Sequence, residues 1–218
     1  MMKISVMGTG NMGKALVKQL SIFGDHSVLW GSRDPLEAQQ LVTQLQLSNV
    51  IAGTYEAAQQ ADIIIPAFHA SVLKEWAAAH QDQLKGKIIV DISNPFNSDF
   101  SGFTTAWGES SAEQLQALLP ESTVIGAFKN TFFKVVDEPN FQGRVSDVLV
   151  TGNDDHAVQQ FMEYVKPLPF RFLHAGKLDN NRTIERFTLL ELELALRYNT
   201  YPYISLQLFG IKEPIAVN

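Results

Sequence analysis

The chain of 218 residues contains no cysteine. This absence excludes disulfides, thiolate metal sites and cysteine catalysis, and no metal site is predicted. Basic residues are outnumbered, and the formal net charge of −6 argues against nucleic acid or an anionic membrane as the main partner. No apolar run approaches the length of a membrane span, and the first strand pattern begins too near Met1 to leave room for a signal peptide. We therefore expect a soluble cytoplasmic protein whose partners include neither nucleic acid nor membrane.

A glycine-rich segment follows the first apolar run, residues 4–7, and leads directly into an apolar helical pattern. Its six residues are Gly8, Thr9, Gly10, Asn11, Met12 and Gly13. A GxGxxG segment between a strand and a helix is typical of a dinucleotide-binding turn. The three glycines permit a tight turn, the approach of a pyrophosphate and close helix–strand packing, and the helix N-terminus attracts the phosphates. We therefore predict that these residues bind a nucleotide cofactor.

The end of the second strand pattern indicates which dinucleotide binds. About 20 residues after the glycines, NAD-binding turns carry an acid that accepts hydrogen bonds from the ribose hydroxyls. Ser32 and Arg33 occupy that place here, and a hydroxyl and a guanidinium suit a 2′-phosphate. Asp34 could instead be the acid, but Asp34 before Pro35 is typical of a helix N-cap, which we favour. The sequence therefore predicts NADP(H), with Thr9 able to add a second hydroxyl.

Strand and helix patterns alternate as far as residue 176. Nearly apolar strands separated by helices indicate a parallel sheet buried on both faces. Further strands are predicted at 50–52, 63–65, 87–90, 123–126, 147–150 and 170–173, and helices at 36–45, 55–60, 72–84, 112–119 and 156–165. The fold class is therefore α/β, with residues 1–176 forming an NADP-binding Rossmann-type domain around a doubly wound, mainly parallel sheet. The loosest stretch, 98–110, is either a functional lid or a poorly ordered connection.

Residues 177–218 differ in character and are predicted to form a C-terminal helical segment. Residues 178–199 read as one long helix whose apolar side chains cover much of its circumference. A helix of that kind must be buried nearly all round, and one sheet can cover only one side of it. We therefore predict a homodimer built on this helix, although the tail at 201–211 could cover part of the same surface.

Four later segments carry a more specific signal. They read Asp91-Ile92-Ser93-Asn94-Pro95, Ala127-Phe128-Lys129-Asn130-Thr131, Val150-Thr151-Gly152-Asn153-Asp154, and Ala175-Gly176-Lys177-Leu178 followed by Arg182 and Glu185. Together with the glycine turn and Gly31-Ser32-Arg33, they resemble the NADP-dependent oxidoreductases that use the deazaflavin coenzyme F-420, and they are also similar to the cytosolic reductase domains of the STEAP metalloreductases. The chain departs from this pattern where Lys129 interrupts the second segment.

The resemblance implies NADP(H) binding by Thr9, Ser32 and Arg33, with the nicotinamide near the ends of the fourth and fifth strands. It also implies a dimer made by the C-terminal helix, and we expect the acceptor pocket to lie between that helix and the nicotinamide. The acceptor implied is a flavin-like or deazaflavin ring, with coenzyme F-420 or a flavin as co-substrate.

Ligands of open parallel sheets lie beyond the carboxyl ends of the strands. The cofactor-binding residues predicted at the fourth and fifth strand ends are Ala67, Phe68, His69, Ser93, Asn94 and Pro95. Asn94 either binds the nicotinamide carboxamide or shapes a turn, and His69 either contacts the cofactor or caps the next helix. Asp91 is expected to orient its neighbours rather than to react.

The leading hypothesis is an oxidoreductase that transfers a hydride between NADP(H) and a flavin-like or deazaflavin acceptor. Such a transfer depends mainly on placing two rings face to face, so no catalytic side chain is predicted. One alternative is an NADP(H)-dependent reductase of a small carbonyl or imine, with Lys129 or His69 as the proton donor. Another is a non-catalytic NADP(H) redox sensor. Arg182 and Arg186 either bind an acidic acceptor or are solvated charges on the helix.

Overall fold

Strands and helices alternate along the computed structural model, which describes residues 2–24 and 26–211. The elements are β1 (Ile4–Met7), α1 (Asn11–Phe23), β2 (Val28–Ser32), α2 (Pro35–Gln44), β3 (Val50–Thr54), α3 (Tyr55–Ala58), β4 (Ile63–Pro66), α4 (Ala70–Ala79), α5 (Gln81–Leu84), β5 (Ile88–Asp91), α6 (Ser111–Leu118), β6 (Thr123–Gly126), α7 (Phe133–Asp137), β7 (Asp147–Gly152), α8 (Asp155–Val165), β8 (Arg171–His174) and α9 (Asn181–Arg197). A 3₁₀ turn, Leu178–Asn180, leads into α9.

Within the described residues, eight strands form one sheet in the order β3-β2-β1-β4-β5-β6-β7-β8. The first six pair in parallel, β7 runs antiparallel to β6, and β8 runs parallel to β7. The strand order reverses at β1, so the carboxyl ends of β1 and β4 flank a crevice of the kind in which such sheets bind ligands. The predicted Rossmann-type, mainly parallel sheet is confirmed.

Both faces of the sheet are covered. Every residue of β1, β4 and β5 is buried, as strands packed on two sides require. One core includes Leu16, Trp30 and Phe161, and the other includes Leu73 and Leu115. The helices that follow β1 and β4 therefore lie on opposite faces, and the loops at the carboxyl ends of the strands stay free to form a site.

The helix start predicted at Asp34 is confirmed. Its side chain accepts the backbone N–H groups of Leu36 and Glu37 at 3.0 and 3.3 Å, and Pro35 is the first helical residue. This bonding satisfies donors that the first turn of a helix otherwise leaves without partners. Asp34 therefore acts as the N-cap of α2.

Two predicted helices are corrected. The helix at 72–84 is divided into α4 and α5 because His80 has non-helical backbone angles, with φ −127° and ψ 21°. The helix at 178–199 is a 3₁₀ turn followed by α9. In addition, α7 was not predicted, because its five residues are too few to show a helical period. The division at residue 176 stays a prediction, and residues 212–218 of the predicted C-terminal segment lie outside the described residues.

The buried and exposed sides of α9 do not follow polarity. Leu190 and Leu196 are 51% and 60% exposed, whereas Glu191 is 3% exposed. Neither carboxyl oxygen of Glu191 has a hydrogen-bond partner among the described residues, and burial raises the pKa of Glu191 to about 8.

In the described ranges, no helix combines the length and the apolar character needed to cross a membrane.

Glu191 should make the stability of the fold depend on pH. Between its ordinary pKa of 4.5 and the folded value of about 8, the folded chain holds a proton that the unfolded chain releases. The free energy of unfolding therefore falls as pH rises through this window, by about 1.4 kcal/mol per pH unit from this residue. We expect Glu191→Gln to remove that slope and to stabilise the fold above pH 7.

Urea denaturation at a series of pH values measures the difference. Glu193→Gln is the control, because Glu193 lies on the same helix in an exposed pair with Arg197. The control should keep the wild-type slope. Identical slopes in the wild type and Glu191→Gln would show that Glu191 is not held protonated by burial.

Candidate functional site

A cavity of about 820 Å³ extends along the carboxyl ends of β1, β2, β4, β5 and β6. Its walls include every residue predicted to bind the cofactor except Gly13 and Pro95. Those that line it are Gly8, Thr9, Gly10, Asn11, Met12, Ser32, Arg33, Ala67, Phe68, His69, Ser93 and Asn94. The structure thus brings together predicted residues from four separate strand ends, and their roles as cofactor ligands stay predictions.

The geometry of the glycine turn suits the role that was predicted for each of its three glycines. Gly8 has a positive φ of 112°, and a Cβ atom there would lie 3.0 Å from the carbonyl oxygen of Ala67. A Cβ atom on Gly13 would lie 2.2 Å from the carbonyl oxygen of Gly8, so only glycine allows α1 to pack this closely on the loop. At Gly10, a Cβ atom would meet no described atom within 4 Å. The space beside Gly10 is therefore open.

The first turn of α1 points its N–H groups at this open space. The N-cap is Gly10, which offers no side-chain bond to them. Free N–H groups and the positive end of the helix dipole together form a binding place for an anion. The residues present therefore fit a pyrophosphate.

At the β2 end, the groups suited to a 2′-phosphate lie together at the cavity rim. Ser32 is buried and its hydroxyl accepts the Asp34 N–H at 3.1 Å, which leaves its own proton to donate. Arg33 is exposed beside it. The Thr9 hydroxyl donates to the Glu37 carboxylate at 3.3 Å, so Glu37 has to turn away before Thr9 can bind a phosphate.

The structure bears on the roles considered for His69 and Asn94. His69 is the N-cap residue of α4, but its side chain makes no capping bond. The exposed ring lines the cavity instead, and its contact with a cofactor stays a prediction. Asn94 donates from Nδ2 to the carbonyl oxygen of Lys129 at 2.8 Å. That bond fixes the orientation of the Asn94 amide at the cavity wall and ties the loop after β5 to the loop after β6.

The strongest electrostatic feature of the site is a buried ion cluster. The Nζ atom of Lys129 lies 2.7 Å from Oδ2 of Asp91 and 3.0 Å from Oε1 of Glu185, and it also donates to the carbonyl oxygen of Ser93. Burial alone would lower the pKa of Lys129, but the two carboxylates outweigh it and hold the pKa above its usual value. An ammonium group has three N–H donors, and three acceptors surround this one. Lys129 is therefore poorly suited to the proton-donor role that one alternative gave it.

Both carboxylates of the cluster have further partners. Oδ1 of Asp91 accepts the backbone N–H and the hydroxyl of Ser93 at 2.9 and 2.7 Å, which is the orienting role predicted for Asp91. Glu185 accepts the N–H groups of Ser111 and Ala112, at 3.0 and 3.4 Å, at the start of α6. Burial raises the pKa of Glu185 although Lys129 opposes the shift. The sequence marked Glu185 only as part of the family resemblance and gave it no chemical role, because its partners are distant along the chain.

Arg182 and Arg186 of α9 were both considered for acceptor binding. Neither lines the cavity in the described structure. Arg182 forms a bidentate pair with Glu113, with N···O distances of 2.9 and 2.5 Å. Arg186 donates to the carbonyl oxygens of Thr105 and Ala106 in the loop before α6. Both residues therefore hold α9 to its neighbours and are not free surface charges.

The end of the cavity away from Arg33 has a largely aromatic wall. The aromatic side chains that line it come from the loop after β5, from the segment before and at the start of α7 and from the tail, and they are Phe96, Phe100, Phe132, Phe133 and Tyr201. Thr188 and Leu192 of α9 close the same end. The described residues include no group of three or more His, Asp or Glu side chains placed to hold a metal ion.

Comparison with known proteins confirms the resemblance drawn from the sequence. Residues 3–95 match the family described as NADP oxidoreductase, coenzyme F420-dependent. The chain is 27% identical over 215 residues to the F420-dependent NADP reductase of Methanocaldococcus jannaschii, covering 91% of this chain and 95% of the relative. It is 29% identical over 220 residues to the metalloreductase STEAP3 of Rattus norvegicus, covering 93% of this chain but 42% of that longer protein. A solved structure described as a putative F420-dependent NADP reductase from Arthrobacter sp. FB24 superposes with a TM-score of 0.79 at 25% identity, covering 92% of this chain and 96% of the other.

Gly10→Val tests whether the cavity binds a dinucleotide. The fold should be retained because the space beside Gly10 is open, whereas the new side chain would occupy the space a pyrophosphate needs. We expect an unchanged melting temperature and no NADPH binding in a calorimetric titration. Gly108→Val is the control, at an exposed glycine outside the cavity that also has open space and no positive φ. NADPH affinity at the wild-type level in Gly10→Val would place the cofactor elsewhere.

Lys129→Met tests the ion cluster. Removing the ammonium group leaves two buried carboxylates without their shared counter-ion, at an expected loss of about 3–5 kcal/mol of stability. Lys134→Met is the matched control, because Lys134 makes only an exposed pair with Glu138, a type worth under about 1 kcal/mol. Urea denaturation at neutral pH measures both variants. Equal losses in the two would mean that the cluster does not stabilise the fold.

Proposed function

We propose that the chain transfers a hydride between NADP(H) and a deazaflavin of the coenzyme F-420 type or a flavin, and its similarity to the F420-dependent NADP reductases supports this. The observation that carries this proposal is the continuity of one cavity. It joins the glycine turn and Arg33 at one end to the aromatic wall and α9 at the other. A dinucleotide in an extended conformation along the strand ends would present its nicotinamide to that wall.

The chemistry required of this chain is mainly placement. The bound cofactors would supply the redox chemistry, and a hydride passes directly between two rings held face to face. The N-terminus of α1 would hold the pyrophosphate, and Ser32 and Arg33 the 2′-phosphate. Phe96, Phe100 and the other aromatic side chains would exclude water and present flat surfaces to a flat ring.

The carbonyl or imine reductase is less well supported. Such an enzyme must deliver a proton to the oxygen or nitrogen that becomes negative. The N–H groups of Lys129 face three acceptors in the cluster, and His69 is the remaining candidate among the residues first considered. Hydride transfer to a flavin-like ring needs no such donor from the protein.

A panel of acceptors tests the proposal. Purified protein is mixed with NADPH and with a coenzyme F-420-type deazaflavin, FMN, a ferric chelate, or one of a set of small carbonyls and imines, and the NADPH absorbance is followed. We expect turnover with the deazaflavin or FMN. Turnover confined to carbonyls or imines would replace this proposal with the alternative, and no turnover with any acceptor would favour a redox sensor.

We also propose that the chain forms a homodimer through α9. Leu190, Leu196 and Tyr198 are exposed along this helix and its end, and a second copy of the same surface would cover them about a two-fold axis. Light scattering at micromolar concentration should give twice the chain mass of 24.3 kDa. A single species at the mass of one chain would rule out this dimer.

Arg33 should set the preference for NADP(H) over NAD(H). A charge-assisted contact to the 2′-phosphate contributes about one to two decades of affinity. Calorimetric titration should therefore show that Arg33→Ala weakens NADP(H) binding by that factor and leaves NAD(H) binding nearly unchanged. Arg144→Ala, an exposed arginine outside the cavity, is the control and should alter neither. Equal affinity of the wild type for both cofactors would contradict the assignment.

A further inference from the structure

The loop between β5 and α6 is folded back on itself and not loosely ordered. The ring centroid of Phe96 lies 5.5 Å from that of Phe100 and 4.9 Å from that of Phe103, and the backbones of Phe96 and Phe103 form an antiparallel bridge. The N–H of Thr104 donates to the carbonyl oxygen of Pro95 at 2.8 Å. Of the two roles considered for residues 98–110, the structure therefore favours a formed lid, and Phe96 and Phe100 are the parts of it that face the cavity.

Arg186 of α9 holds the second half of this loop, which leads into α6. Its guanidinium group donates to the carbonyl oxygens of Thr105 and Ala106 at 3.1 and 2.7 Å. The guanidinium carbon also lies 4.2 Å from the ring centre of Trp107 and 5.8 Å from that of Phe103. Both bonds come from Nη2, so the flat guanidinium group can lie against the Trp107 ring while its edge holds the two carbonyl groups, whereas a lysine ammonium is a compact, strongly hydrated charge with no flat face.

The position of Trp107 points to the same contact. This side chain is 81% exposed, so burial of apolar surface does not account for its place against Arg186. The attraction between the cation and the ring face does account for it. Arg186 thus touches three consecutive residues of the loop and, more distantly, a fourth.

The helix that carries Arg186 also carries part of the cavity wall. Thr188 and Leu192, within two turns of Arg186, line the end of the cavity where Phe96 and Phe100 lie. Arg186 itself does not line the described cavity. Any loosening of Arg186 would therefore change the distance between the two walls of that end and leave the glycine turn and the β2 end untouched.

We propose that Arg186 is a positioning residue that latches the loop of residues 96–110 over the acceptor end of the cavity. Through the latch it sets the affinity for the acceptor ring without touching that ring. This inference rests on the proposed function, because it takes Phe96 and Phe100 to be a wall for the acceptor. It makes the affinity for the acceptor depend on a residue outside the described cavity.

The latch itself is tested without any ligand. Hydrogen exchange followed by mass spectrometry is compared for the wild type, Arg186→Ala, Arg186→Lys and Trp107→Ala. All three variants should exchange faster in residues 96–110, and Trp107→Ala alters an exposed position at which folding is not at risk. Arg197→Ala is the control, because Arg197 lies on the same helix in an exposed pair with Glu193, and it should leave the loop unchanged.

Steady-state kinetics with the deazaflavin or FMN tests the consequence. In the Arg186 variants the KM for the acceptor should rise on the order of tenfold, while kcat and the KM for NADPH stay within about twofold. Arg186→Lys should behave like Arg186→Ala, because lysine keeps the charge but not the flat group that lies against Trp107.

The two proposals fail in different ways. Unchanged exchange in the loop in all three variants would overturn the latch, whatever the acceptor is. Recovery of the acceptor KM in Arg186→Lys, or an equal rise in the KM for NADPH, would also overturn it. Faster exchange in a protein whose wild type oxidises NADPH with neither deazaflavin nor flavin would refute the proposed function, and with it the assignment of the wall to the acceptor.

Discussion

One ammonium group shared between two buried carboxylates holds together the end of the site formed by β5, the loop after β6 and α9. Lys129 follows β6, Asp91 ends β5 and Glu185 lies on α9, and Glu185 also binds the start of α6. Four elements that are distant in sequence therefore meet at one buried charge cluster. Separating the partners would leave charge in a medium that solvates it poorly, so the carboxyl end of β5, the loop after β6 and α9 have little freedom to move apart.

The two ends of the cavity are built in different ways. The end assigned to the cofactor uses the backbone, through the turn at Gly8 and Gly10 and the free N–H groups of α1. The end assigned to the acceptor uses side chains from the loop after β5, the α7 region, α9 and the tail. A backbone site tolerates only one geometry, whereas a wall of side chains changes shape with each substitution.

The sequence predicted the parts of this structure that local chemistry determines. The glycine turn, the cap at Asp34 and the apolar strands could be read because each depends on neighbouring residues. The partners of Glu185 and Arg186 could not be predicted, because a glutamate and an arginine on a helix surface look alike whether they face solvent or a distant loop. The number of apolar residues in the last helix was also a misleading guide to which of its side chains are buried. It did not show that Glu191 is buried while Leu190 is half exposed, since packing against the rest of the chain decides which face turns inward.

The most direct test of the account follows the hydride itself. NADPH labelled with deuterium at one face of C4, and then at the other, is incubated with the protein and a deazaflavin, and the reduced product is analysed by mass spectrometry. A hydrogen bound to the ring carbon of a deazaflavin does not exchange with water, so a transferred deuterium is retained. The account predicts that one of the two labelled forms passes its deuterium to the product, because a single cavity holds the two rings in one relative orientation. A product containing only hydrogen from solvent with both labelled forms would contradict direct hydride transfer.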